Sequence, residues 1–160
     1  MLQKLHRVVT PLVPKCLAHQ FCTLFLNGKT VRTRQHVNPL SRRFEEPIHV
    51  PNWSQVLPNT TLPVHIDIGC ARGKYLMELA QVKPEMNFIG IEIRQPVVQE
   101  AMENAAKSGL RNICFLHANM NFQMKRIMPS LLAAHKVGSI SIFHPDPWMK
   151  KRHVKRRLVD

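Results

Sequence analysis

From residue 64 onward, short apolar runs of strand length alternate with stretches in which apolar residues recur at helical spacing. Four runs predict β-strands: Val64–Ile68, Asn87–Ile93, Asn112–His117 and Ser139–Phe143. The stretches between them predict helices. A chain in which strands and helices alternate in this rhythm forms a parallel sheet with right-handed crossovers, and so the predicted fold class is α/β.

Three helices are predicted between the four strands. The first spans Lys74–Val82 and repeats apolar residues along one face. The second begins near Pro96, which the first turn of a helix tolerates, and ends before Gly109. The third follows the third strand, and we expect Pro129 to interrupt it, because proline removes a backbone donor and clashes with the preceding turn.

The 63 residues before the first strand lack this pattern and divide into two segments. Residues 1–30 contain scattered Lys and Arg, no acid and no hydrophobic periodicity, so we expect either a transit peptide or a disordered basic tail. Residues 31–63 contain five of the twelve prolines and predict an extended arm without long helices. Trp53 is expected to anchor this arm on the domain formed by residues 64–160 rather than to stack on a base.

The charge of the chain is concentrated at its two ends. The net charge is +13, from 23 Lys and Arg against 10 Asp and Glu. Residues 1–44 carry eight basic residues and no acid, residues 45–147 carry nine of each, and residues 148–160 carry six basic residues and one acid. A neutral middle with basic ends fits a polyanionic partner, although acid-poor ends can equally reflect targeting or a solvated face.

Composition excludes several classes of protein. With 44% hydrophobic residues the chain can bury a core, and no apolar run approaches the roughly 20 residues of a membrane-spanning helix. Four irregularly spaced cysteines indicate a reducing compartment rather than a disulfide scaffold. Cys16, His19 and Cys22 lie close together in sequence, but they lack a fourth ligand and match no established zinc spacing, so no metal site is predicted.

The turn after the first strand reads Asp67-Ile-Gly69-Cys-Ala71-Arg-Gly73. Small residues at such a turn let a cofactor pack against the backbone, although they also serve helix packing alone. Glu92 lies at the end of the second strand, 19 residues beyond Gly73, where a carboxylate can accept hydrogen bonds from ribose hydroxyls. These positions predict a cofactor crevice at the carboxyl ends of the strands.

Asn119 follows the third strand and is interpreted either as a contact to an adenine edge or as a turn-forming residue. With the acids of the first two strands it predicts an adenosine cofactor. The nicotinamide dinucleotides are disfavoured, because the phosphate-binding Gly-x-Gly-x-x-Gly pattern is absent.

After the fourth strand, two prolines flank Asp146, and a basic run follows Trp148. The prolines stiffen the backbone and would hold the carboxylate beside the crevice, although a simple strand-terminating turn is the alternative. A charge run is usually a solvated face, but one that starts at a reaction centre is better interpreted as a phosphate clamp. Its basic residues are Lys150, Lys151, Arg152, Lys155, Arg156 and Arg157.

Together these motifs resemble the tRNA (guanine-N7-)-methyltransferase family. The resemblance rests on Asp67-Ile-Gly69-x-Ala71-Arg-Gly73, on Gly90-Ile-Glu92-Ile-Arg94, and on Pro145-Asp-Pro-Trp-x-Lys-Lys-Arg-His-x-Lys-Arg-Arg157. Arg34-Gln-His-Val-Asn-Pro-Leu-Ser41 further resembles the arm of the cyanobacterial and plastid members. The resemblance implies a Rossmann-like, doubly wound methyltransferase fold, S-adenosylmethionine as cofactor, and a guanine of the tRNA variable loop as substrate.

The resemblance also implies roles for single residues. Asp146 matches the acid of the active site, and Lys150 matches a position that contacts tRNA. The positions matched to cofactor contacts are Asp67, Gly69, Glu92, Ile93, Asn119 and Met120. Ala71, Asn119 and His144 stand where the family commonly has Gly, Asp and Phe.

The family pattern continues beyond the Lys-Arg-Arg segment with further strands that this sequence does not contain. We therefore expect a fold without its last strands. The alternative function is a catalytically incomplete, RNA-binding product. A methyltransferase acting on amino groups is a third interpretation, against which the basic run argues. The expected location is a plastid, with the mitochondrion and the cytosol as alternatives.

Overall fold

The computed structural model describes residues 37–143 and 150–158. The predictions for the first 36 residues, which include the transit peptide and the Cys16, His19 and Cys22 cluster, lie outside the described residues. So does the segment 144–149, which contains Asp146.

Four parallel strands form one sheet in the order β3-β2-β1-β4. Their bounds are Val64–Ile68 (β1), Asn87–Glu92 (β2), Ile113–His117 (β3) and Val137–Ser141 (β4). The chain steps outward from β1 to β3 and then returns to the other side of β1, so the strand order reverses between β1 and β4. At such a reversal the carboxyl ends of the strands open a crevice. The predicted Rossmann-like α/β fold is confirmed.

Helices cover both faces of the sheet. They span Trp53–Val56 (α1), Lys74–Val82 (α2), Gln95–Lys107 (α3) and Met120–Ala134 (α4), with 3-10 turns at Arg42–Phe44 and Lys151–Arg156. The helices α2 and α3 bury their apolar faces against one side of β2 and β3. The helices α1 and α4 pack against β1 and the opposite side of β2. Two apolar layers around one sheet are the doubly wound arrangement that was expected.

The predicted interruption of the third helix at Pro129 is wrong. The helix α4 runs continuously through this proline from Met120 to Ala134. Ile127 and Leu131, on either side of Pro129, are fully buried in the core. Their packing holds the helix together although proline removes one backbone hydrogen bond.

The bounds of the fourth strand were predicted two residues too late. The strand spans Val137–Ser141 rather than Ser139–Phe143, because its pairing with β1 begins at Val64 and Val137. The second strand ends at Glu92, so Ile93 lies just beyond it. The predicted second helix is confirmed, with proline in its first turn and a left-handed Gly109 (φ +68°) after its end.

The arm, from residue 37 to residue 63, contains no long helix, as the prolines predicted. Trp53 is 2% exposed and belongs to the core on the α4 side of the sheet, which confirms its predicted role as an anchor. The buried side chain of Gln123 holds the arm from α4, donating to the carbonyls of Phe44 and Glu46 at 3.0 and 2.9 Å. This contact had no signal in the sequence.

Candidate functional site at the carboxyl end of the sheet

The turn between β1 and α2 is tied to the end of β2 by backbone hydrogen bonds. Gly69, with φ +82°, donates to the carbonyl of Ile91 at 2.7 Å, and Cys70 donates to the same oxygen at 3.2 Å. Ala71 also has a positive φ, of +49°, a conformation that costs an L-residue about 1 kcal/mol. An alanine therefore occupies a backbone conformation that glycine adopts without this strain.

Two glycines of the site make room for the ring of Phe115. A Cβ on Gly73 or on Gly90 would overlap this ring, which β3 holds in the core. At Gly90 the added carbon would also lie 2.8 Å from the sulfur of Cys70. The small residues of the β1–α2 turn were expected to allow close packing. Nothing in the sequence indicated that Gly90, in β2, also has to leave room for the Phe115 ring.

From the described residues the carboxylate of Glu92, at the end of β2, accepts four hydrogen bonds, and this residue is 4% exposed. Its Oε1 accepts from the backbone N–H and the Nε of Arg94, both at 3.0 Å. Its Oε2 accepts from the N–H of Ala71 at 3.2 Å and from Nη2 of Arg94 at 3.0 Å. Glu92 therefore connects the β1–α2 turn to the start of α3. Arg94 was part of the quoted motif, but no role was assigned to it.

Asp67 lies beside the same turn, in register with Gly90 of β2 and Ser141 of β4. It is 5% exposed, and its Oδ1 accepts a hydrogen bond of 2.8 Å from the Ser141 hydroxyl. The pKa of the Cys70 thiol is raised by burial and then by the nearby carboxylates of Glu92 and Asp67. Both carboxylates therefore lie near the half-buried Cys70 thiol, and backbone hydrogen bonds tie the turn that contains Gly69 to the strand that ends at Glu92.

Asn119 begins α4 at the carboxyl end of β3. Its Oδ1 accepts from the backbone of Asn121 at 3.1 Å, and its Nδ2 donates to the carbonyl of Pro39 at 2.7 Å. The side chain thus joins the arm to the sheet, and its adenine contact stays a prediction. Met120, the other matched residue at this strand end, is buried in the core. Ile93, beyond the end of β2, accepts a hydrogen bond of 3.0 Å through its carbonyl oxygen from Nε2 of His117.

The basic segment, residues 150–157, lies close to the first turn of α4. Asn121 donates through Nδ2 to the carbonyl of Arg157 at 3.3 Å, and Leu158 packs against the core. Four of its basic side chains are exposed: Lys150, Lys151, Arg152 and Lys155. Arg42 and Arg43 of the arm are exposed as well, next to the Phe44 that Gln123 of α4 holds. The first turns of α4 therefore contact two basic segments at the carboxyl end of the sheet.

A sequence-family profile described as "Putative methyltransferase" matches residues 61–160, which include the whole sheet and the basic segment. The chain belongs to this methyltransferase family. It is 54% identical over 129 residues to the tRNA (guanine-N(7)-)-methyltransferase of Microcystis aeruginosa, covering 81% of this chain and 61% of that protein. It is 46% identical to the protein of the same name from Thermosynechococcus vestitus, covering 81% and 59%. This methyltransferase-family chain spans about three fifths of the length of these relatives.

Among solved structures, one titled "Structure of an antibiotic related Methyltransferase" is 22% identical, with a TM-score of 0.44. The match covers 62% of this chain and 49% of that one. Another, a SAM-dependent methyltransferase from Geobacter sulfurreducens in complex with S-adenosyl-L-homocysteine, is 18% identical with a TM-score of 0.34, covering 54% and 33%.

An open groove of about 310 Å³ lies along the β1–α2 turn of the methyltransferase-family chain, lined by Cys70, Ala71, Arg72, Lys74 and Tyr75. Within residues 37–143 and 150–158, no three His, Cys, Asp or Glu side chains are grouped to hold a metal ion. In the same ranges no helix is both long and apolar enough to cross a bilayer.

Proposed function

We propose that this chain transfers a methyl group from S-adenosylmethionine to N7 of a guanine in the variable loop of tRNA. The observation that carries the proposal is that two buried carboxylates, a glycine turn and two basic segments meet at one end of the sheet. The similarity to cyanobacterial proteins named tRNA (guanine-N(7)-)-methyltransferase supports the choice of substrate.

The site fits the proposed cofactor in its donor and acceptor chemistry. Glu92 presents carboxylate oxygens at the end of β2, the position from which ribose hydroxyls are bound in related folds. Those hydroxyls would take over hydrogen bonds that Arg94 donates in this structure. Among residues 37–143 and 150–158, nothing lies within 4 Å of a Cβ placed on Gly69, which leaves room for a ligand beside this part of the turn. Asp67 supplies a second carboxylate for a cationic donor.

The basic segment supports a polyanionic substrate. Its exposed cations and those of the arm belong to segments that contact the first turns of α4, and the N-terminal end of a helix also favours phosphate. Phosphate contacts of this kind determine affinity and orientation rather than base choice. We assign Lys150, Lys151, Arg152, Lys155, Arg156 and Arg157 to this role.

Methyl transfer to guanine N7 requires no general base from the protein. S-adenosylmethionine, when bound, supplies an electrophilic methyl group, and guanine N7 is a lone-pair acceptor with no proton to remove. The residues of the site therefore act by aligning N7 with the methyl group, which contributes roughly 7–11 kcal/mol. We assign Asp146 to holding the N–H donors of guanine and to stabilising the cationic product.

The test is methyl transfer to unmodified tRNA from methyl-labelled S-adenosylmethionine, with the full chain and with Asp146→Asn. We expect transfer by the wild type. The variant should lose most turnover while it binds tRNA with nearly unchanged affinity, since the charge and not the shape of the side chain is removed. Unchanged turnover in Asp146→Asn would refute the role of this carboxylate, and no transfer by the wild type would refute the function.

The alternative is a catalytically incomplete RNA-binding protein. The observation that favours it is β4, an edge strand of the sheet within the described residues, on which Ile140 is 51% exposed. Methyl transfer and filter binding together separate the two functions. A catalytically incomplete RNA-binding protein would retain tRNA on the filter and transfer no methyl group.

We also propose a plastid location. The acid-free composition of residues 1–30 and the similarity to cyanobacterial proteins support it. A fusion of the chain to a fluorescent protein should colocalise with chlorophyll; mitochondrial or cytosolic fluorescence would contradict this location.

A further inference from the structure

Four polar side chains form a continuous chain of hydrogen bonds across β1 and β4. Strand register places His65 beside Ser139 and Asp67 beside Ser141. The Ser139 hydroxyl lies 2.7 Å from Nδ1 of His65, and Nε2 of the same ring lies 3.1 Å from the Ser141 hydroxyl. The Ser141 hydroxyl in turn lies 2.8 Å from Oδ1 of Asp67. The chain thus runs from the exposed edge strand to a carboxylate of the proposed cofactor site.

In this series of hydrogen bonds, each donor points toward Asp67. A serine hydroxyl has one hydrogen, and Ser141 uses it for the carboxylate, so its oxygen accepts from Nε2–H of His65. In the neutral ring Nδ1 then accepts from the Ser139 hydroxyl. Edge-on contact with the ring of Phe88, at a centroid distance of 5.9 Å, fixes the orientation of the imidazole.

Burial favours the neutral ring of His65. Burial lowers its pKa, and the ammonium of Lys83 beyond α2 lowers it further, while the carboxylate of Asp67 opposes both. At neutral pH each hydrogen bond of the chain therefore has one donor and one acceptor.

We propose that Ser141 and His65 are positioning residues that fix the Asp67 carboxylate for cofactor binding. Asp67 Oδ2 makes no hydrogen bond within the described part of the chain, so it is left to accept from a donor of S-adenosylmethionine. This inference rests on the proposed function, because it is there that Asp67 is assigned to the cofactor. No role was predicted for either residue from the sequence.

The first measurement is the tautomer of His65, from ¹⁵N chemical shifts of the histidine rings in the full chain, assigned with His65→Gln. We expect the Nε2–H tautomer in the wild type and a weaker preference in Ser141→Ala, which removes the acceptor of that proton. An Nδ1–H tautomer in the wild type would overturn the proposal. This measurement needs only the folded wild type, so the proposal remains falsifiable if Ser141→Ala does not fold.

The second measurement is the equilibrium dissociation constant of S-adenosylhomocysteine, by titration calorimetry. We expect Ser141→Ala to weaken binding by about tenfold, because a hydrogen bond to a charged group is lost. Ser141→Thr retains the hydroxyl and should restore affinity. Ser130→Ala, on the exposed side of α4, is the matched control and should bind like the wild type.

The two failures are distinguishable. Wild-type affinity in Ser141→Ala would overturn the positioning role and leave the proposed function standing. No binding by the wild type itself would refute the proposed function and, with it, the cofactor role of this hydrogen-bonded chain, whatever the tautomer of His65.

Discussion

Replacing Glu92 by Gln tests the geometry of the site with a change of one atom. Each oxygen of Glu92 faces two N–H donors, from Arg94 on one side and from Ala71 and Arg94 on the other. An amide nitrogen at either oxygen position would therefore point its own hydrogens at two donors. Glu92→Gln removes two hydrogen bonds and the charge opposite the Arg94 guanidinium, whichever way the amide turns.

The expected cost follows from burial. The Glu92 side chain is 4% exposed and that of Arg94 is 20% exposed, so water cannot replace the lost partner fully. Two hydrogen bonds to charged groups, at about 1.5–3 kcal/mol each, give a loss of about 3–6 kcal/mol in the free energy of unfolding. Breaking one member of a buried ion pair gives an overlapping range, about 3–5 kcal/mol.

The chain contains a matched control in Arg72 and Glu100. Nε of Arg72 lies 3.0 and 2.9 Å from the two oxygens of Glu100, but the two side chains are 51% and 47% exposed. Glu100→Gln should therefore cost no more than about 1 kcal/mol. The assay is urea unfolding without cofactor, followed by circular dichroism and by the fluorescence of buried Trp53. A cost for Glu92→Gln within about 1 kcal/mol of that for Glu100→Gln would refute the reasoning.

Gly90→Ala should lower the free energy of unfolding by about 1–3 kcal/mol, because its Cβ overlaps the ring of Phe115. The loss should be smaller in a Phe115→Leu background, which lacks the ring, and equal losses in both backgrounds would contradict the contact. Burial lowers the pKa values of His65 and His117 below the ordinary 6.5, so the unfolded chain binds more protons and the free energy of unfolding should fall as pH drops below about 6.5; urea midpoints that rise on acidification would contradict this. The dissociation constant for tRNA should rise steeply with salt, and Lys155→Gln should reduce the log–log slope by about 0.7–0.9, whereas Lys107→Gln at the far end of α3 should leave it unchanged; equal slopes for both would contradict the assigned phosphate contact.

Much of the sheet could be predicted from the sequence, because buried parallel strands are short apolar runs and the helices between them repeat every three to four residues. The errors occur where tertiary packing overrides a local rule. Pro129 sits inside α4 because Ile127 and Leu131 are buried on either side of it. The position of β4 depends on its pairing with β1 at Val64, which a single strand's pattern does not encode.

The part of the candidate site that could be predicted is the pair of acids near the ends of β1 and β2. Asp67 and Glu92 were found in this way, since carboxyl ends of parallel strands meet at one edge. Contacts between elements distant in sequence were not predictable, and the bonds from Ser141 to Asp67 and from Gln123 to the arm are of this kind. Arg94 could have been found, because residues two apart at the end of a strand lie on the same side.

Nucleoside analysis of tRNA identifies the base, and the atom of that base, that receives the methyl group. Unmodified tRNA is incubated with the full chain and S-adenosylmethionine, digested to nucleosides and analysed by mass spectrometry against standards. We expect 7-methylguanosine. A methyl group on an exocyclic amino group, or tRNA that remains unmethylated, would contradict it.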